Sequence, residues 1–190
     1  MSEADVGKLE GWVEVIVRDR DGRVKHHIKP TFMEKCEDGE HCSILSVLSP
    51  SFPAKIMEYY WRKNVITNAG LAAIIRLVFS GLTENKFGYI AIGTGTTAEA
   101  VTDTALQNEI KRKAATVTQT TTTITGDTAL LEATFSSADG LTGSSNVSEA
   151  GVFNADTGGI LLARKVFSAV PLNWDAGDSI TIRYYIQMSR

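Results

Sequence analysis

Apolar residues between 11 and 28 fall in two runs split by a short polar turn. Trp12, Val13, Val15, Ile16 and Val17 make a first strand, and residues 23–28 the returning one. Asp21-Gly22 between them is a hairpin turn, because aspartate and glycine tolerate positive φ, and Pro30 ends the second run. Leu71, Ile74, Ile75 and Val78 recur at helical spacing. They predict a helix over 69–80, with Thr67 or Asn68 as its cap and Gly81 as its stop. Beyond Gly81 the pattern turns to short apolar runs. Strands are expected at 87–92, 115–124, 129–135, 147–153, 160–170 and 179–188, with Ile180, Ile182, Tyr184 and Ile186 on one face of the last. Residues 103–113 read as a short helical or extended link. Thr125-Gly126-Asp127, Asp139-Gly140, Thr157-Gly158-Gly159 and the stretch from Asp175 to Asp178 separate the runs. Short strands at regular spacing with such turns predict an antiparallel sandwich.

Between 31 and 62 the pattern is less regular. CEDGEHC reads as a polar turn, 43–48 as a short strand, and 54–61 as a short helix or strand after Pro50 and Pro53. The whole is therefore expected to be mainly β: a jelly-roll-like antiparallel β-sandwich over 63–190 with one short helix, preceded by an N-terminal hairpin and docking arm over 1–62.

Composition fits this picture. With 190 residues, 43% of them hydrophobic, the chain has enough apolar material for one real core. Threonine concentrated over 116–128 favours strands with solvated faces. The formal net charge of −3 lacks the basic footprint of a nucleic-acid binder, so no direct nucleic-acid contact is expected. The longest apolar stretch, 69–79, is interrupted by Arg76 and too short to span a bilayer, so no membrane partner is expected. The acidic, polar start MSEADVGKLE does not read as a secretory signal, and synthesis in a cytoplasm is expected.

Candidate chemistry is sparse. Gly93 to Thr96 spell GTGT, but no lysine-serine or lysine-threonine pair and no third spaced glycine follow, so a tight turn is the better reading than a phosphate loop. Cys36, His41 and Cys42 lie within seven residues, with His26 and His27 upstream, and this set is the candidate for a structural zinc. The alternative is two reduced cysteines and solvated histidines. Asp19, Asp21 and Gly22 resemble the start of a calcium loop whose later ligands are missing. Glu149 with Asp156 is one of many carboxylate pairs, and all three histidines lie in the first 41 residues, away from the β-rich body. No catalytic set is assigned. Lys111, Arg112 and Lys113 form a small basic cluster, read as a solvated face.

Three segments taken in order resemble a family of small structural proteins of tailed phages and related viruses: NVITNAGLAAIIRLVFSG, FGYIAIGTGTTAEAVTDTALQNEI and SEAGVFNADTGGILLARKVFSAVPLNWDAGDSITIRYYIQM. The matching pieces are Asn64 to Gly70, Tyr89 to Thr97, Asp103 to Leu106, Glu149 to Asn154 and Gly158 to Arg164. The resemblance covers about residues 63–190; before that only the R-D-x-D-G hairpin is shared. It implies a non-enzymatic virion protein, such as a capsid decoration, head-fibre, collar or tail component, made in the host cytoplasm. Its partners would be other virion structural proteins and copies of itself. Trp12, Tyr59, Tyr60, Trp61 and Trp174 are the candidate interface aromatics, against the alternative that they fill the chain's own core. The competing expectation is a receptor- or carbohydrate-binding module of a viral fibre.

Overall fold

A computed structural model describes residues 8–29, 64–79, 84–122 and 124–189. These build two five-stranded antiparallel sheets and one α-helix. The first sheet runs β2 (Val24–Ile28), β1 (Lys8–Arg18), β10 (Ser179–Ser189), β7 (Thr128–Phe135), β6 (Thr116–Thr120). The second runs β3 (Val65–Ile66), β9 (Leu161–Asn173), β8 (Ser144–Phe153), β4 (Tyr89–Gly93), β5 (Glu109–Ala114). Helix α1 (Asn68–Phe79) joins β3 to the rest of the second sheet.

Period-two alternation decides which side chains fill the space between the sheets. Ile180, Ile182 and Tyr184 of β10 and Val15 and Val17 of β1 are fully buried, facing Ile90, Ile92, Ala150 and Val152 of the second sheet. Tyr184 also ties the sheets together, its hydroxyl donating to the Ala150 carbonyl at 2.7 Å. Burial pushes that hydroxyl's pKa well above its ordinary value.

Two expectations change. The N-terminal hairpin is not a separate arm. β1 pairs with β10 along its whole length, from Lys8 opposite Ser189 to Arg18 opposite Ser179, so it is an interior strand of the first sheet. Val13, Val15 and Val17 alternate inward and pack in one core with residues of the second sheet. Trp174 is not an interface aromatic. It is 1% exposed in the core, where its indole N–H donates to Ser145 Oγ at 3.0 Å. A buried indole needs such a partner. Asp19 is likewise a turn residue: its Oδ1 accepts from the Asp21 and Arg23 amides at 3.0 and 2.9 Å, closing the hairpin with Gly22 at φ 81°.

Candidate functional site

Residues 94–108 link β4 to β5 without helix or strand and lie across the outer face of the second sheet. Connections this long in a compact domain are usually functional or need a special anchor. Here an anchor is visible. Leu106 plugs into a small apolar patch formed by Ala91, Phe153 and Leu161. Gly151 makes room for it, since a Cβ there would sit 2.9 Å from both Leu106 and Leu161.

Beside the plug lies a buried carboxylate, Glu149, which is 0% exposed. Its Oε1 accepts from the amides of Gly95 (2.9 Å) and Asn108 (2.8 Å). Its Oε2 accepts from the amide of Gln107 (3.0 Å) and from Nε (3.0 Å) and Nη2 (2.8 Å) of Arg164. Arg164 is 2% exposed and reaches further, to Asp103 Oδ2 at 2.9 Å and the Thr97 carbonyl at 3.1 Å. Burial alone would lower the guanidinium's pKa, but Asp103 and Glu149 outweigh it and raise it, so the cation is secure. Gln107 Oε1 accepts from the amides of Thr96 and Thr97, both at 2.8 Å, and Ser148 Oγ donates to the Gly95 carbonyl at 2.8 Å. The loop's backbone groups are thus satisfied partly by Glu149, Ser148 and Arg164 of the sheet beneath and partly by the loop's own Gln107.

The glycines of GTGT are explained by this clasp. A Cβ on Gly93 would fall 2.5 Å from the Asn108 carbonyl oxygen and 2.6 Å from Glu149 Oε1, and one on Gly95 would strike the same carboxylate. The close approach is to a carboxylate of the chain itself, not to a phosphate. Glu149 is committed to five donors, while Asp156 is exposed and accepts from the Thr157 hydroxyl. Among the described residues they share no partner as a carboxylate pair would. Two of the three residues of the basic cluster, Arg112 and Lys113, are tied down. Arg112 forks onto Glu109, lies 3.5 Å over the Phe153 ring and donates to the carbonyls of Ala155 and Gly158. Lys113 meets Asp139 at 2.6 Å.

A second feature lies at the edge of the second sheet. Thr67 caps α1, accepting from the Gly70 amide at 3.0 Å while its hydroxyl donates to the Leu161 carbonyl. The face of α1 turned to the sandwich carries two small residues beside Ile74, which packs against the core. Gly70 and Ala73 are buried, and a Cβ on Gly70 would meet Leu162 Cα at 2.7 Å. The helix packs so closely that the larger stripe is turned away. Leu71, Ile75, Val78 and Phe79 are 43%, 57%, 62% and 76% exposed. Of the four residues at helical spacing, Ile74 packs against the core while Leu71, Ile75 and Val78 face out. Arg76 is held by Glu84, whose other oxygen takes the Asn154 side-chain amide, fixing the helix to the end of β8.

On the outer face of the first sheet, Trp12 and Tyr185 stand opposite each other in the β1–β10 register, both half-buried. Beside them Glu14 accepts from Arg183 at 3.2 Å and lies 2.6 Å from His27 Nε2. Burial would raise the Glu14 carboxyl's pKa, but hydrogen bonds from His27 and Arg183 hold it below its ordinary value.

Cys36, His41 and Cys42, the zinc candidates, lie outside the described residues, as do Tyr59, Tyr60 and Trp61. Among the described residues no group of three or more His, Cys, Asp or Glu gathers to hold a metal, and no helix is long and apolar enough to cross a membrane. Glu149, Arg164 and Asp103 each stand in a motif piece of the sequence, but nothing in the sequence joins them: Glu149 pairs there only with Asp156, and the set forms through the fold. No protein-family model, curated protein or solved structure matches the chain.

Proposed function

We propose that the chain is a non-enzymatic virion structural protein, a capsid decoration, head-fibre, collar or tail component, that acts by assembling with copies of itself and with other virion proteins. The observation that carries this reading is the outward face of α1. A helix that is apolar on both sides belongs in an interior, and an exposed contiguous apolar patch marks an interaction surface. The order of sequence motifs supports the virion setting. The clasp fits the same role, because it stiffens a long surface loop with groups that are already fully used.

The occupant of the α1 face is a second copy of this chain. Leu71, Ala72, Ile75, Val78 and Phe79 include no ionisable group, so the face meets its own image without burying a charge. A two-fold contact requires such self-complementarity. Many weak copies of the contact on a repeating lattice would then add through avidity.

Light scattering of the full chain tests this. A discrete oligomer is expected, and Ile75→Glu, at a position already 57% exposed, should reduce its mass to that of a smaller species with an unchanged circular-dichroism spectrum. An Ile75→Glu protein that keeps the parent's mass would remove the α1 contact. A parent that is monomeric and binds glycans would instead favour the receptor-binding reading, for which the Trp12–Tyr185 pair is the supporting observation.

A further inference from the structure

The four sheet edges differ in how they are protected. An open edge is a template for strand pairing, and proteins guard against it with charge, proline, bulges or brevity. β3 is two residues long. β2 carries Lys25, His26 and His27 and has a bulge in its pairing with β1. β5 carries Glu109, Lys111, Arg112 and Lys113. β6, Thr-Val-Thr-Gln-Thr, has none of these guards. It pairs with β7 in unbroken register from Thr116 opposite Glu132 to Thr120 opposite Thr128, and among the described residues no strand lies on its other side. β5 and β6 are consecutive, separated by Ala115 alone, so one side of the sandwich is a single ribbon, charged along one half and bare along the other.

We infer that β6 is a homotypic pairing edge, joining antiparallel to the β6 of a second copy about a two-fold axis at Thr118 and fusing two five-stranded sheets into one. The register follows from the sequence. With Thr118 opposite its own image, Thr116 meets Thr120 and Val117 meets Gln119. Val117 lies opposite Leu131, which is buried in the core, so Val117 belongs to the inward-facing row and Thr116, Thr118 and Thr120 to the outward one. Pairing therefore lines up three threonines from each chain on the outer face. Cross-strand threonine pairs are favourable, and no like charges are brought together. On the inner side the edge borders an apolar groove of about 380 Å³, lined by Leu9, Val117, Ile186 and Met188 among others. Val117 is 47% exposed and Met188 70% exposed, and a strand added along β6 covers the Val117 rim. This surface is distinct from the α1 face, although both serve self-association.

The test uses the full chain carrying Cys36→Ser and Cys42→Ser. Directly opposite residues in an antiparallel pair have Cα atoms about 4.5–5.5 Å apart, within disulfide reach. Thr118→Cys is therefore expected to give a disulfide-linked dimer under mild oxidation, while Val24→Cys on the opposite edge gives none. Thr118→Lys and Thr118→Glu should each halve the mass seen by light scattering at low salt, and mixing the two should restore it, which a misfolded variant would not do. Absence of the Thr118 cross-link, or Lys and Glu variants that both keep the parent's mass, overturns the inference. Loss of mass on Ile75→Glu but not on Thr118→Lys leaves the assembly reading intact and removes this edge from it.

Discussion

Glu149 collects the amides of Gly95, Gln107 and Asn108 together with two nitrogens of Arg164, all without water contact. Replacing a whole buried ion pair by apolar residues is often harmless, because the desolvation of both charges disappears with them. That relief is reduced here, since the buried Gly95 amide would lose its acceptor, at about 1–3 kcal/mol, and the part-buried Gln107 and Asn108 amides would lose theirs at a smaller cost. Glu149→Leu combined with Arg164→Met is therefore expected to lose at least ~1 kcal/mol in urea denaturation, in contrast to the general case. Glu149→Leu alone should be worse, because it also leaves Arg164 with only Asp103 and the Thr97 carbonyl. A double variant as stable as the parent would mean that the loop is not held by this carboxylate.

Local patterns placed the elements better than their faces. The Asp21-Gly22 turn, the Thr67 cap and the alternation along β10 were all legible, because each depends on neighbours in sequence. β5 was read only as part of a link, since Glu-Ile-Lys-Arg-Lys-Ala has little apolar alternation and is held as a strand by pairing with β4. The helix was found, but its spacing alone did not say which side packs. Periodicity sees Leu71, Ile74, Ile75 and Val78, of which only Ile74 packs against the core, whereas the close approach to the Leu162 backbone is made at Gly70. The clasp stayed hidden for a related reason: Glu149 and Arg164 meet only once β8 and β9 are paired. The hairpin β1–β2 has a tertiary anchor of the same kind. Lys25 reaches Asp178 at 2.7 Å, and the Asn173 amide donates to the same carboxylate at 2.9 Å. Burial would raise the Asp178 pKa, but Lys25 and the amide outweigh it and hold it below its ordinary value; Asp139, held by Lys113 and Ser136, is also lowered. For a depressed carboxyl the stabilisation is present above the unfolded value, about 3.9 for aspartate, and is lost as pH falls through the folded one. Melting temperature should therefore fall as pH drops below about 4. Asp178→Asn should be less stable than the parent at neutral pH and show a shallower fall in acid. An equal acid slope in both proteins would place the pH dependence elsewhere.

At the scale of the whole molecule, the decisive question is whether residues 63–190 stand alone, as a body-plus-arm arrangement requires. The strand pairing predicts that they do not. β1 separates β10 from the edge strand β2, so deleting residues 1–62 exposes one full side of β10, eleven residues long. It also removes Val15 and Val17, both 0% exposed, from opposite the core residues of the second sheet. Burying each valine contributes roughly 1.5–3 kcal/mol, against a total stability of about 5–15 kcal/mol for an ordinary domain. Asn64 gives a further tie, since its amide donates to the Gly11 carbonyl at 3.0 Å and its side chain packs against Gly11. The truncated chain is thus expected to show no cooperative thermal transition and to aggregate through the newly open edge of β10. Adding a synthetic peptide of residues 8–29 should restore a transition, because it returns both missing strands. A truncated protein that melts cooperatively and stays soluble without the peptide would show that the first sheet closes without β1 and that the N-terminal strands are an attachment after all.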